Sequence, residues 1–134
     1  ILSAINKNLK IIFCIGETIK EKRNKLTHYV LKKQINNGLE GVKNFKNIFI
    51  AYEPVWSIGT GIIPAKKELE NNVSKIKKLL AKKTKLKLQI LYGGSVNSKN
   101  LSNLRNISGI NGFLVGSASQ NTKNFIDIIK KTII

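Results

Sequence analysis

Cysteine occurs once, as Cys14, so an internal disulfide framework is excluded and a reducing compartment is the ordinary setting for such a chain. Proline occurs only as Pro54 and Pro64, which leaves long stretches free of helix and strand breakers. No apolar run approaches the roughly 18 residues of a membrane helix, so no membrane partner is expected. The segment that opens the chain carries no signal-peptide pattern. Acids are scarce, seven against 24 lysines and arginines, for a formal net charge of +17. That surplus raises nucleic-acid binding as an alternative, since clustered cations neutralise phosphates. Arginine argues against it: only Arg23 and Arg105 are present, and arginine is the side chain that reads phosphates and bases bidentately. The lysines are spread along the chain among many Asn and Ile, residues that share AT-rich codons. Compositional drift and a solvated surface account for the charge, which bears on solubility and nonspecific association. No nucleic-acid partner is expected.

Hydrophobic residues make up 42% of the 134 residues, enough for a packed core in a single domain spanning 1–134. Four short apolar runs recur: Ile11-Ile12-Phe13-Cys14-Ile15, Ile48-Phe49-Ile50-Ala51-Tyr52, Leu88-Gln89-Ile90-Leu91-Tyr92 and Phe113-Leu114-Val115. Most do not alternate with polar residues, which predicts strands buried on both faces, as in a parallel sheet. Between them run helical stripes: Leu31, Ile35, Leu39 and Val42; Leu69, Val73, Ile76 and Leu80; Phe125, Ile129 and Ile133. Residues 1–9 read as the end of another helix, with Leu2, Ile5 and Leu9 on one side and no cap at its start. The order is a helix end followed by four βα units. Four such units are half of the roughly 250 residues of a (β/α)₈ barrel. An open doubly wound sheet is the structural alternative.

Function in an α/β fold sits in the loops after the strands. Those loops read Gly16-Glu17-Thr18, then Glu53 through Gly61, then Gly93-Gly94-Ser95-Val96-Asn97, then Gly116-Ser117-Ala118-Ser119. Gly- and Ser-rich loops let main-chain N–H groups approach an anion, although ordinary βα turns favour the same residues. Two of them in succession, at the last two strands, point to phosphate. Glu53 directly follows a strand and precedes Pro54, where a carboxylate can act as a general base or serve only as a cap or ion-pair partner.

The run Ala51-Tyr52-Glu53-Pro54-Val55-Trp56-Ser57-Ile58-Gly59-Thr60-Gly61 resembles the catalytic-loop motif of the triosephosphate isomerase family, with Ser57 where alanine is usual. Phe13-Cys14-Ile15-Gly16-Glu17 resembles the family's fifth strand, Tyr92-Gly93-Gly94-Ser95-Val96 its seventh loop and Gly112-Phe113-Leu114-Val115-Gly116 its eighth. Order and spacing match over essentially the whole chain. The resemblance implies the C-terminal four βα units of a TIM barrel, from the end of the fourth helix onward. It implies interconversion of dihydroxyacetone phosphate and glyceraldehyde 3-phosphate through an enediol, with Glu53 as the base. Residues 54–64 would be a closing lid, chemistry and motion for which this family is itself the standard worked example. Gly59, Ser95, Gly116 and Ser117 would offer N–H donors to the substrate phosphate, and lid closure would limit phosphate elimination. A cytoplasmic, glycolytic homodimer that uses no cofactor and no metal is implied.

The resemblance also marks what is missing. The family's catalytic Lys and electrophilic His lie in the first four βα units, so the chain alone is expected to be inactive. The dimer's main interlocking loop lies there as well. His28, in a Lys-rich helix, is expected at the surface and does not replace that His. Cys14 is expected to be core packing. Glu17 is expected to hold the lid, not to act on substrate, and Trp56 to pack at the lid's base. The eighth loop has Ser117 where a second glycine is common. In much of the family, the Tyr matching Tyr92 accepts a hydrogen bond from the N–H of the residue matching position 64. Pro64 has no N–H, so Ser95 and Thr60 are expected to carry closure, with Tyr92 reduced to packing.

Overall fold

Parallel pairing of four strands organises the chain. In the computed structural model, which describes residues 1–133, β1 (Ile11–Ile15), β2 (Ile48–Tyr52), β3 (Ile90–Tyr92) and β4 (Gly112–Phe113) form one sheet in the order β1-β2-β3-β4. Ile11 pairs with Ile48, Ile50 with Ile90 and Tyr92 with Phe113, every pair parallel. Six α-helices complete the described residues: α1 (Leu2–Asn6), α2 (Ile19–Arg23), α3 (Thr27–Gly38), α4 (Lys66–Ala81), α5 (Leu101–Leu104) and α6 (Thr122–Ile133).

The core lies between the helices and one face of the sheet. Alternate strand residues Ile11, Ile15, Ile48, Ile50, Tyr52, Ile90 and Tyr92 meet Leu31 and Ile35 of α3, and Leu69, Val73, Ile76 and Leu80 of α4. The stripes on α3 and α4 are thus the buried ones, each side chain contributing about 1.5–3 kcal/mol when fully covered. Thr18 starts α2 with a capping box: its side chain accepts from the Glu21 N–H while the Glu21 carboxylate accepts from the Thr18 N–H. That bond holds the Glu21 carboxyl below its ordinary range.

The other sheet face is covered only in part, short of the expectation of strands buried on both faces: Ala51 is buried and Phe49 and Leu91 are half-buried, but the β1 side is exposed. Ile12 is 49% exposed and Cys14 is exposed beside it. Cys14 therefore does not pack in the core. Apolar runs identify a strand that prefers cover on both faces, but this chain supplies helices for one face only. In α6, Phe125, Ile129 and Ile133, expected inward, are 38%, 41% and 79% exposed, and Ile128 is the buried residue. Residues 7–9 fall outside α1, and Leu2 and Leu9 are 50% and 56% exposed, while Ile5 is partly buried. β3 starts at Ile90 instead of Leu88, and β4 is Gly112–Phe113 instead of Phe113 to Val115. His28 is exposed, as expected.

Candidate active site

The loops after the strands converge on a cleft of about 580 Å³ at the C-terminal end of the sheet. Glu53, Gly59, Ser95, Gly116 and Ser117, the five residues singled out from sequence, all line it. A larger hollow of about 830 Å³ lies at the opposite end of the strands, near Lys77, Gln89 and Asn111, but no carboxylate lines it.

Glu53 is placed by backbone pairing and by two glycines. Its N–H donates to the Ile15 carbonyl at 2.8 Å, extending the β1–β2 ladder by one residue. Gly16 and Gly93 leave the space it occupies: a Cβ on Gly16 would overlap the Glu53 carbonyl, and one on Gly93 would overlap its side-chain carboxyl. Gln34 of α3 fixes Gly16 from behind, accepting from its N–H at 2.9 Å and donating to its carbonyl at 3.0 Å. The half-buried Glu53 carboxylate has no ion-pair partner among the described residues. It lies beside Cys14, whose thiol is pushed up to about 11, first by local desolvation, then by its hydrogen bond to Glu53 and by the charge of Glu53. Cys14 thus remains a protonated neighbour of the carboxylate and not a nucleophile.

Glu17 is fully buried beneath the segment that follows Glu53. Its carboxylate accepts from Trp56 Nε1 at 2.9 Å and from the Tyr52 hydroxyl at 3.1 Å, and its carbonyl accepts from the Val55 N–H at 3.0 Å. Asn72 of α4 donates to the Tyr52 oxygen at 2.9 Å, so this buried charge ends a fully bonded chain. Burial, and after it the charge of Glu17, pushes the Tyr52 phenol far above its ordinary range and keeps it a donor. The ammonium of Lys22 lies 3.9 Å from the centre of the Trp56 ring and is paired with Glu68. Glu17 and Trp56 therefore anchor the segment as expected.

Residues 58–62 arch over the cleft. Gly59 and Gly61 adopt φ of 69° and 78°, values that a side chain would strain. Ser95 Oγ accepts from the Gly61 N–H at 2.8 Å and donates to the Ser57 carbonyl at 2.7 Å. Thr60 Oγ1 lies 3.2 Å from the carbonyls of Trp56 and Ser57 and accepts from the Ile62 N–H. Ser95 and Thr60 do secure the arch, but Tyr92 is more than packing: its hydroxyl is 3.0 Å from Ser57 Oγ. The N–H groups of Gly59, Gly116 and Ser117 have no acceptor among the described residues, while the Ser95 N–H donates to Ser57 Oγ at 3.3 Å. Gln34, Asn72 and Ser57 are the contributors that sequence spacing missed, because their partners lie 18, 20 and 35 residues away.

An unpaired carboxylate facing free N–H groups across a small cleft can take a proton from a bound anionic substrate. Together with the parallel sheet, it defines the class: an α/β chain consistent with half of a βα barrel, with its candidate site at the strands' C-terminal ends. The comparisons are specific. The family model described as triosephosphate isomerase matches residues 1–132. Triosephosphate isomerase of Saccharomyces cerevisiae is 42% identical over 130 residues, covering 94% of this chain and 52% of that protein. That of Thermodesulfovibrio yellowstonii is 37% identical, covering 96% and 53%, and that of Candida albicans 40%, covering 97% and 54%. The chain belongs to the triosephosphate isomerase family, and it spans about half the length of these curated relatives.

Proposed function

We propose that this chain supplies the C-terminal, base-bearing half of a triosephosphate isomerase. Glu53 removes a proton from one carbon of dihydroxyacetone phosphate and returns it to the neighbouring carbon by way of an enediol. The N–H groups of Gly59, Gly116 and Ser117, with that of Ser95 once an anion displaces its Ser57 contact, hold the substrate phosphate. The arch over residues 58–62 keeps water from the intermediate. The observation that carries this reading is that Glu53 and all four anion-loop residues line one cleft. Neither a metal nor an organic cofactor is needed, because proton transfer between adjacent carbons changes no net oxidation state.

The reading assigns charge stabilisation on the substrate oxygens to a Lys and a His of the complementary four βα units, as the family resemblance implies. Loss of one such donor costs about 10²–10³ in rate. A cytoplasmic homodimer as the working form belongs to the same proposal. The test is to assay isomerisation by the purified chain alone and after assembly with the N-terminal four βα units of a relative. Activity should appear only on assembly. Turnover by the chain alone near that of a relative would refute the division of labour, and an assembled but inactive barrel would refute the function.

A further inference from the structure

Ser57 is buried, and its hydroxyl uses its entire bonding capacity. It is 2.5 Å from the Ile62 carbonyl, 3.0 Å from the Tyr92 hydroxyl and 3.3 Å from the Ser95 N–H. A hydroxyl has one proton and two lone pairs. A carbonyl cannot donate, so the Ser57 proton goes to Ile62. The Tyr92 hydroxyl must then be a donor to Ser57, beside the donor from Ser95. Ser57 closes the short turn Val55–Ser57 and Ile62 begins the return segment of the arch, so this one oxygen pinches both feet of residues 58–61 together. Ser95 locks the same place from the other side, through the Ser57 carbonyl and the Gly61 N–H. The space exists because Gly94 is bare: a Cβ there would overlap the Tyr92 and Ser57 hydroxyls.

We propose that Ser57 is a positioning residue: its hydroxyl is a clasp that holds the arch shut over the cleft, with Tyr92 acting through it. The clasp supplies the partner that Pro64, lacking an N–H, cannot give Tyr92. An anion that claims the Ser95 N–H takes one of the clasp's three contacts and leaves the clasp resting on Ile62 and Tyr92. The consequence for turnover rests on the isomerase reading; the consequence for the arch does not.

Two measurements on the assembled barrel separate them: isomerisation kinetics and amide hydrogen exchange at Gly61 and Ile62. Ser57→Ala and Tyr92→Phe each remove one oxygen and leave the fold's apolar contacts in place. In Ser57→Ala, exchange at Gly61 should quicken about tenfold or more, and kcat should fall about tenfold to a hundredfold, as expected for losing the hydroxyl's three hydrogen bonds at a closing segment. The double variant should be little worse than Ser57→Ala, because Tyr92 works through the same oxygen. Multiplying losses in the double variant, or Gly61 exchange unchanged by Ser57→Ala, would overturn the clasp. Absence of isomerisation in the unsubstituted assembly would overturn the functional reading and leave the exchange data to decide the clasp.

Discussion

Gly93→Ala probes how Glu53 is aimed without touching Glu53 itself. The new Cβ would lie closer than 3.0 Å to Oε1, Cγ and Cδ of Glu53. The backbone at this point has little freedom to retreat, because the Gly93 N–H donates to the Tyr52 carbonyl at 3.0 Å and Tyr52 is paired in register with Tyr92. The carboxyl must therefore withdraw, by on the order of 1 Å, and misplacement of that size costs about 10² in rate, or about 2.7 kcal/mol of barrier. In initial-rate assays of the assembled barrel, kcat should fall about a hundredfold while KM changes little, since the phosphate donors sit elsewhere. A second substitution sharpens the test. Glu53→Asp shortens the side chain and vacates the space the methyl needs, so Gly93→Ala should cost less in that background than in the parent. A Gly93→Ala enzyme within about threefold of the parent, or losses that multiply in the double variant, would refute the steric argument.

Two further outcomes follow from the buried and titrating groups. Glu17→Gln keeps the shape but replaces one acceptor with an N–H₂, so Trp56 Nε1 or the Tyr52 hydroxyl loses its partner; urea unfolding should show a loss of about 1–3 kcal/mol, and a change under about 0.5 kcal/mol would contradict the bonding described. Cys14, raised to about 11, should react with iodoacetamide at pH 8 about a hundredfold more slowly in the folded chain than an unfolded thiol of pKa about 8.5. The folded state favours the neutral thiol, so its stabilising contribution is complete below about pH 8.5 and is lost as pH rises through about 11. Glu53→Gln should speed alkylation only in part, because desolvation, the larger cause, remains; equal rates in folded and unfolded chain would show that the thiol is not so placed.

Local patterns carried much of this architecture. β1 and β2 fall on their apolar runs, and the stripes of α3 and α4 face the core, because continuous β-rich runs and a helical repeat each admit few arrangements. The cleft was legible because Glu53 and the Gly/Ser loops follow strands, and strand ends in a parallel sheet come together. What the residues could not convey is which apolar surface finds a partner within the chain. Ile12 and Phe125 look as buriable as Ile50 and Leu69, yet nothing covers the first two to the same degree. Short elements such as β4, α2 and α5 carry too few residues for a period to emerge. Side-chain bonds across the fold, from Gln34 to Gly16, Asn72 to Tyr52 and Ser57 to Tyr92, depend on distances that only the folded chain sets.

Glu53 as the base is the claim on which the account stands, and proton exchange reads it directly. The assembled barrel would be incubated with dihydroxyacetone phosphate in D₂O, and deuterium at the carbon that is deprotonated would be followed by NMR. The account predicts incorporation by the parent and a loss of about 10²–10⁴ in Glu53→Gln, whose amide cannot accept the proton, with phosphate affinity retained. Incorporation by Glu53→Gln at the parent's rate would contradict it and place the base elsewhere.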